Sequence, residues 1–254
     1  MKKLYEKSEI TAAILWIVIY TVGMGTLENR FGLDSLWQML GLIVISAAMF
    51  LFVKRNGLME KYGLSGWAKN SSAMLWFLPL WLISCPNLLG GFSPDYPAPG
   101  LIYAAVSMAL VGFAEELVFR GFLFKAMLKG GSVKTAVIVS SVTFGLGHIV
   151  NLFTGQDLVE TLNQMVFAIA VGFVFTLVYY KSGSLLPGVL AHSFIDVTSV
   201  FAPDEGSARL NMILHVAIVV LSAAYCLYLV KRVETPAINR TAAQKDAAAD
   251  APEA

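Results

Sequence analysis

Six ionisable residues stand in stretches that are otherwise apolar. They are Glu115, Glu116 and Arg120 in Val111-Gly-Phe-Ala-Glu-Glu-Leu-Val-Phe-Arg-Gly, His148 in Thr143-Phe-Gly-Leu-Gly-His, and His192 and Asp196 in Ala191-His-Ser-Phe-Ile-Asp. These types suit hydrolysis: a carboxylate can take a proton from water, and an imidazole can place that water or stabilise an oxyanion. Their spacing indicates how they face. Glu116 and Arg120 are i,i+4 neighbours and can pair. Glu115 lies about 100° further round a helix, free of that pair. His192 and Asp196 share the i,i+4 spacing, which lets two side chains hydrogen-bond or hold one ligand. His148 stands alone, with Phe144 one turn earlier.

Two chemistries fit this set. In one, Glu115 takes the proton from water that His148 helps to position, and His192, oriented by Asp196, stabilises the oxyanion. In the other, Glu115, His148 and His192, with Asp196 as a further ligand, hold a divalent metal such as zinc, leaving one position for water and Glu116 as base. No HExxH motif is present, so spacing alone does not favour zinc. The Glu116–Arg120 pair also has a structural reading, as helix glue that sets the field around Glu115.

The elements that must position these groups are membrane helices. Hydrophobic residues make up 57% of the chain and charged ones 14%, against about 25% charged in soluble domains. Mean hydropathy is +0.70. A bilayer core of about 30 Å needs ~20 apolar residues per helix. Eight segments qualify, at 10–26, 36–53, 72–89, 101–124, 135–150, 158–180, 185–201 and 210–230. They are continuous runs, without the alternation of barrel strands. The expected fold is an all-α polytopic integral membrane protein of about eight transmembrane helices. The catalytic residues fall on helices four, five and seven. Residues 1–233 form one transmembrane domain, with a catalytic core at about 100–202, and 234–254 form a disordered cytoplasmic tail, polar and Ala-rich.

Charge gives the orientation. Cytoplasmic loops collect Lys and Arg. With the N-terminus inside, the inner segments hold Lys2, Lys3, Lys7, Lys54, Arg55, Lys61, Lys69, Lys125, Lys129, Lys134, Lys181, Lys231, Arg232, Arg240 and Lys245, and the outer loops only Arg30 and Arg209. That division of 15 to 2 places both termini in the cytoplasm and suits the plasma membrane. A net charge of +1 gives no pull toward nucleic acid. The expected partners are membrane lipid and a peptide or protein substrate. Cys85 and Cys226 sit in apolar runs and read as packing residues. Lys2 and Lys3 precede an apolar run as in a signal peptide, but no small-residue cleavage pattern follows, so the run reads as a retained span.

An ionisable group at mid-bilayer costs about 2.5–3.5 kcal/mol and marks a functional site by default. At about 1.5 Å per residue, Glu115 lies ~15 Å from Lys125, His148 ~21 Å from Lys134 and His192 ~16 Å from Lys181. All three are counted from the cytoplasmic edge, so they meet near mid-membrane. The first three segments contain nothing comparable. His215, with no acidic neighbour, reads as structural or interfacial; Asp157 and Glu160 open the sixth segment near the surface and support its N-terminus. Gly145 and Gly147 permit either bending or close helix packing. Outside hydrolysis, two readings stay open: a proton-coupled transporter, which predicts solute flux driven by a pH gradient, and a non-catalytic immunity or scaffold protein, which predicts that Glu115→Ala keeps the biological effect.

Glu-Glu-x-x-x-Arg at 115–120, Phe-x-x-x-His at 144–148 and His-x-x-x-Asp at 192–196, in that order within the later segments, resemble the CAAX protease and bacteriocin-processing family of intramembrane proteases, also called CPBP or Abi. The resemblance covers roughly residues 100–200. It implies an eight-helix membrane fold and peptidase activity like that of type II CAAX prenyl endopeptidases, which remove a C-terminal tripeptide after a prenylated cysteine. The family is commonly labelled metalloprotease, and other members are linked to bacteriocin processing or immunity. The last motif position is often Asn in the family. Asp196 here, if ionised, would repel an oxyanion, so it must be protonated, neutralised by His192 or employed as a ligand.

Overall fold

A computed structural model describes residues 1–202 and 208–240. Among the described residues every regular element is helical. Six helices are long and apolar enough to cross a membrane: Glu9–Phe31, Leu36–Arg55, Gly100–Lys129, Val133–Phe153, Leu158–Ser182 and Ile213–Arg232. They match the first, second, fourth, fifth, sixth and eighth expected segments. Their outer faces expose large apolar side chains; Val44 is 67% exposed and Val220 62%. Water would oppose so much exposed hydrocarbon, whereas lipid accepts it. The protein is an integral membrane protein.

The helix boundaries follow local chemistry. Ser8, Ser35, Ser132 and Asp157 cap helix N-termini by accepting from backbone N–H groups. Each cap satisfies a donor that has no partner within its own helix. Gly183, at φ 70°, ends the sixth segment in the left-handed conformation that glycine adopts most readily.

The third and seventh segments differ from expectation. The third breaks into a 3₁₀ turn at Leu75–Phe77, an α-helix at Leu78–Ser84 and a second 3₁₀ turn at Pro86–Gly90. Pro79 and Pro86 supply no backbone N–H and clash with the preceding turn, so neither can continue a helix. Leu75, Trp76 and Phe77 carry positive φ at the break. The seventh segment is the 14-residue helix Leu186–Ser199, about 21 Å long at 1.5 Å per residue. It is too short to cross alone and packs against the fourth segment.

The two ends of the bundle are built differently. One gathers the N-terminal helix, the basic loops and the last described residues. Glu9 binds Lys61 at 2.6 Å and Lys129 at 3.1 Å. Beneath it lies an aromatic layer in which Tyr62 meets Phe122 at 5.1 Å between ring centres and Phe124 meets Tyr179 at 5.8 Å. At the opposite end the connections meet one another, with Ser93 N–H donating to the Phe201 carbonyl at 3.0 Å.

The tail was expected to be disordered from Glu234 onward. Residues 234–240 pack instead. Asn239 is 1% exposed. Its amide nitrogen donates to the Tyr179 and Tyr180 carbonyls at 2.8 and 2.9 Å, and its oxygen accepts from Lys125 Nζ at 2.8 Å. The reason is local: a carbonyl oxygen has two lone pairs, and at the end of helix Leu158–Ser182, where the Tyr179 carbonyl already takes the Gly183 N–H, the asparagine amide fills remaining acceptor capacity. The rest of the expected tail, 241–254, lies outside the described residues.

Candidate active site

The fourth segment winds as an α-helix over Gly100–Glu115, as a π-helix over Glu116–Phe124 and as an α-helix again over Lys125–Lys129. The change of winding falls between the two glutamates. Wider π turns are frequent at functional sites. Here the change accompanies a division of roles: the Glu115 side chain remains 12% exposed in a hollow, whereas Glu116 is fully buried.

Gly112, one turn before, lets the seventh segment come close. A Cβ on Gly112 would sit 2.5 Å from the Ser193 backbone nitrogen, so no side chain fits between the helices. Ser193 Oγ donates to the Ala109 carbonyl at 2.9 Å across the same contact. Gly145 does the same between the fifth and sixth segments, where an added Cβ would lie 2.8 Å from Ile169 N. These approaches bring His192 and His148 to the glutamates.

His192 is the hub. Its Nδ1 is 3.1 Å from Glu116 Oε1, and its Nε2 is 3.7 Å from Glu115 Oε2 and 3.4 Å from Asp196 Oδ2. Glu116 Oε1 also accepts from Arg120 Nη1 at 2.8 Å. Arg120 Nη2 donates to the Gly172 carbonyl at 3.3 Å, and the guanidinium lies 4.1 Å from the centre of the Phe144 ring. Phe144 stands edge-on to both histidines, at 5.6 Å from His148 and 5.5 Å from His192. Phe175 stacks on His192 at 5.2 Å. One aromatic pair thus fixes the plane of the imidazole while the carboxylates fix its rotation.

Glu115, His148, His192 and Asp196 line a cavity of about 320 Å³. A second cavity of about 230 Å³ adjoins it, sharing His148, His192 and Asp196 and extending to Asn87 and His215. The structure therefore brings all six expected residues together. Five are linked by direct contacts, and His148 joins them through the shared hollow and Phe144.

Two expectations need correction. Glu116 is more than the partner of Arg120, because it also holds His192. Polar groups at the site are not confined to the later segments: Tyr20, in the first, donates to Glu115 Oε1 at 2.9 Å, and Glu28 lines the same hollow. His215 packs 5.7 Å from Phe167, in keeping with a structural role, and also borders the second cavity. Gln164, which accepts from Asn151 Nδ2 at 2.8 Å, was also missed. A signal for the first of these existed. Tyr20, Met24 and Glu28 recur every four residues, a stripe along one helix face. Asp157 does cap the sixth segment as expected, accepting from Val159 N at 2.8 Å.

The donor set does not fit a metal in this arrangement. Among the described residues, no three His, Cys, Asp or Glu side chains converge as ligands. His192 Nδ1 is occupied by Glu116.

Residues 97–198 match the family described as type II CAAX prenyl endopeptidase Rce1-like. The resemblance to the CAAX protease family holds. A Bacillus subtilis (strain 168) protein described as "Putative membrane peptidase YdiL" is 23% identical over 221 residues, covering 77% of this chain and 83% of the relative. No solved structure matches. The CAAX-protease-like region contains all six expected site residues, whereas Tyr20 and Glu28 come from outside it.

Proposed function

We propose that this protein is an intramembrane endopeptidase that hydrolyses a peptide bond of a membrane-associated or lipidated protein or peptide. The carrying observation is the setting of His192: Nδ1 is tied to the buried Glu116–Arg120 pair, so Nε2 is presented to a hollow that also holds Glu115 and His148.

Glu115 takes a proton from a water that His148 positions, and the water oxygen attacks the scissile carbonyl carbon. The carbonyl electron pair moves to oxygen, which accepts a hydrogen bond from Nε2–H of a doubly protonated His192, whose Nδ1–H donates to Glu116 and whose charge neutralises Asp196. Asp196, within 3.4 Å of that nitrogen, orients the ring. Glu115 then hands its proton to the departing nitrogen, the C–N bond breaks, and a carboxylic acid and an amine leave. Tyr20, donating to Glu115 Oε1, leaves Oε2 to face the water. In this reading both termini are cytoplasmic, on the side of the basic loops, and the membrane is the plasma membrane.

General acid–base groups contribute about 10²–10⁴-fold to rate. Glu115→Gln therefore loses cleavage by at least about a hundredfold while the protein still folds and inserts. The experiment compares the membrane proteome with and without the variant, looking for proteins that accumulate uncut. An unchanged proteome and a retained biological effect would return the protein to the scaffold reading. A metal-assisted version predicts bound metal in the purified protein and inhibition by chelators. Full activity in metal-free protein is the outcome expected here.

A further inference from the structure

We infer that the substrate is a neutral or cationic polypeptide segment that approaches from the non-cytoplasmic face, so that the cleaved bond lies on the outer side of a membrane or exported protein. This rests on the endopeptidase reading above.

The hollow has a direction. From Glu115 its wall climbs the first segment through Met24 to Glu28 and reaches Leu33, beyond the end of that helix. On the other side it passes Asn151 and Gln156, in the connection between the fifth and sixth segments. All of these lie toward the end of the bundle remote from the described termini. The second cavity runs the same way: Asn87 and Ser199 stand at the corresponding ends of the third and seventh segments.

The way toward the termini is closed. Just past Glu115 the chain from Glu116 to Phe124 is buried at every residue. Tyr62, Phe122, Phe124 and Tyr179 fill the layer beyond, and Asn239 with Lys125 closes the end. The basic residues cluster at that closed end, which charge asymmetry assigns to the cytoplasm. Two independent features, the shape of the cavity and the distribution of Lys and Arg, thus place the mouth on the outer face. The lining also carries Glu28, Glu115 and Asp196 and neither Lys nor Arg. A segment rich in acidic residues would meet like charge there.

Single-cysteine variants test this in a Cys85→Ser, Cys226→Ser background, with a membrane-impermeant maleimide on intact cells. Gln156→Cys at the mouth and Thr21→Cys inside the hollow should be modified from outside. Lys129→Cys at the closed end should react only after permeabilisation. Met24→Cys stands in if Thr21→Cys fails to fold. Labelling of Gln156→Cys only after permeabilisation overturns the inference, and so does a hollow cysteine unreactive from both sides. The readout does not depend on catalysis. Outside labelling with no Glu115-dependent cleavage would defeat the endopeptidase reading, whereas inside labelling with such cleavage would defeat only the assigned direction.

Discussion

The half of the bundle next to the termini and the half remote from them are made from the same helices, yet one is solid and the other hollow. In the solid half, Phe122, Phe124, Tyr62 and Tyr179 interlock edge-to-face, and polar groups are spent on closing the end. In the hollow half, the polar groups of Tyr20, Glu115, His148 and His192 face about 320 Å³ of space. The Glu116–Arg120 pair sits at the boundary and belongs to both: its guanidinium lies against Phe144, and its carboxylate holds His192. The contrast teaches that the site is pre-formed because its floor is rigid. A carboxylate and an imidazole keep their distance in an open cavity only when what lies beneath them cannot move.

Substitutions on the two sides should therefore separate stability from activity. Phe124→Ala, at a fully buried position, should cost about 3–5 kcal/mol in thermal or denaturant unfolding of the detergent-solubilised protein. Met108→Ala in the wall of the hollow should cost less than half as much. Equal costs would break the comparison. Arg120→Met removes the guanidinium from the buried Glu116 carboxylate, leaving it His192, and should cost a similar ~3–5 kcal/mol. Adding Glu116→Gln should recover much of the stability without recovering cleavage, because His192 then lacks its charged anchor. If the double variant cleaves normally, the pair is only structural glue.

Smaller effects sharpen the same boundary. Asn239→Ala removes its hydrogen bonds to two helix-end carbonyls and from Lys125 and should lower stability by about 1–3 kcal/mol, with turnover per folded molecule unchanged. Tyr20→Phe removes one hydrogen bond to Glu115 and should do the reverse: roughly tenfold lower kcat with Tm little changed. A fall in Tm without a fall in kcat would make Tyr20 a packing residue.

Much of this was legible in the residues. Charge inside an apolar run is costly enough that Glu115, Arg120 and His192 announce themselves, and i,i+4 spacing correctly paired Glu116 with Arg120 and placed Asp196 beside His192. Run length found six of the membrane helices. Glu28 stands two residues past the first segment, where a charge is ordinary; the other unexpected contacts involve groups with no formal charge or depend on tertiary packing. Tyr20 barely disturbs hydropathy. Whether Glu116 also touches His192 depends on how closely Gly112 lets two helices approach, which no count of residues gives. The third segment was read as one helix because its apolar content is high; Pro79 and Pro86 overrode that content by removing backbone donors. The ordered residues after Glu234 were missed because their attachment relies on main-chain carbonyls, which every residue possesses and no composition records.

The Asn239 contact has a consequence for how the protein is made. The carbonyls of Tyr179 and Tyr180 and the amine of Lys125 leave the ribosome well before the asparagine that joins them. Until the eighth helix has been threaded and the following residues have folded back, the floor of the site lacks its keystone. The floor is thus completed only after the eighth helix is made, and a reporter fused directly after Val233 would disturb folding where the same reporter placed beyond Arg240 would not.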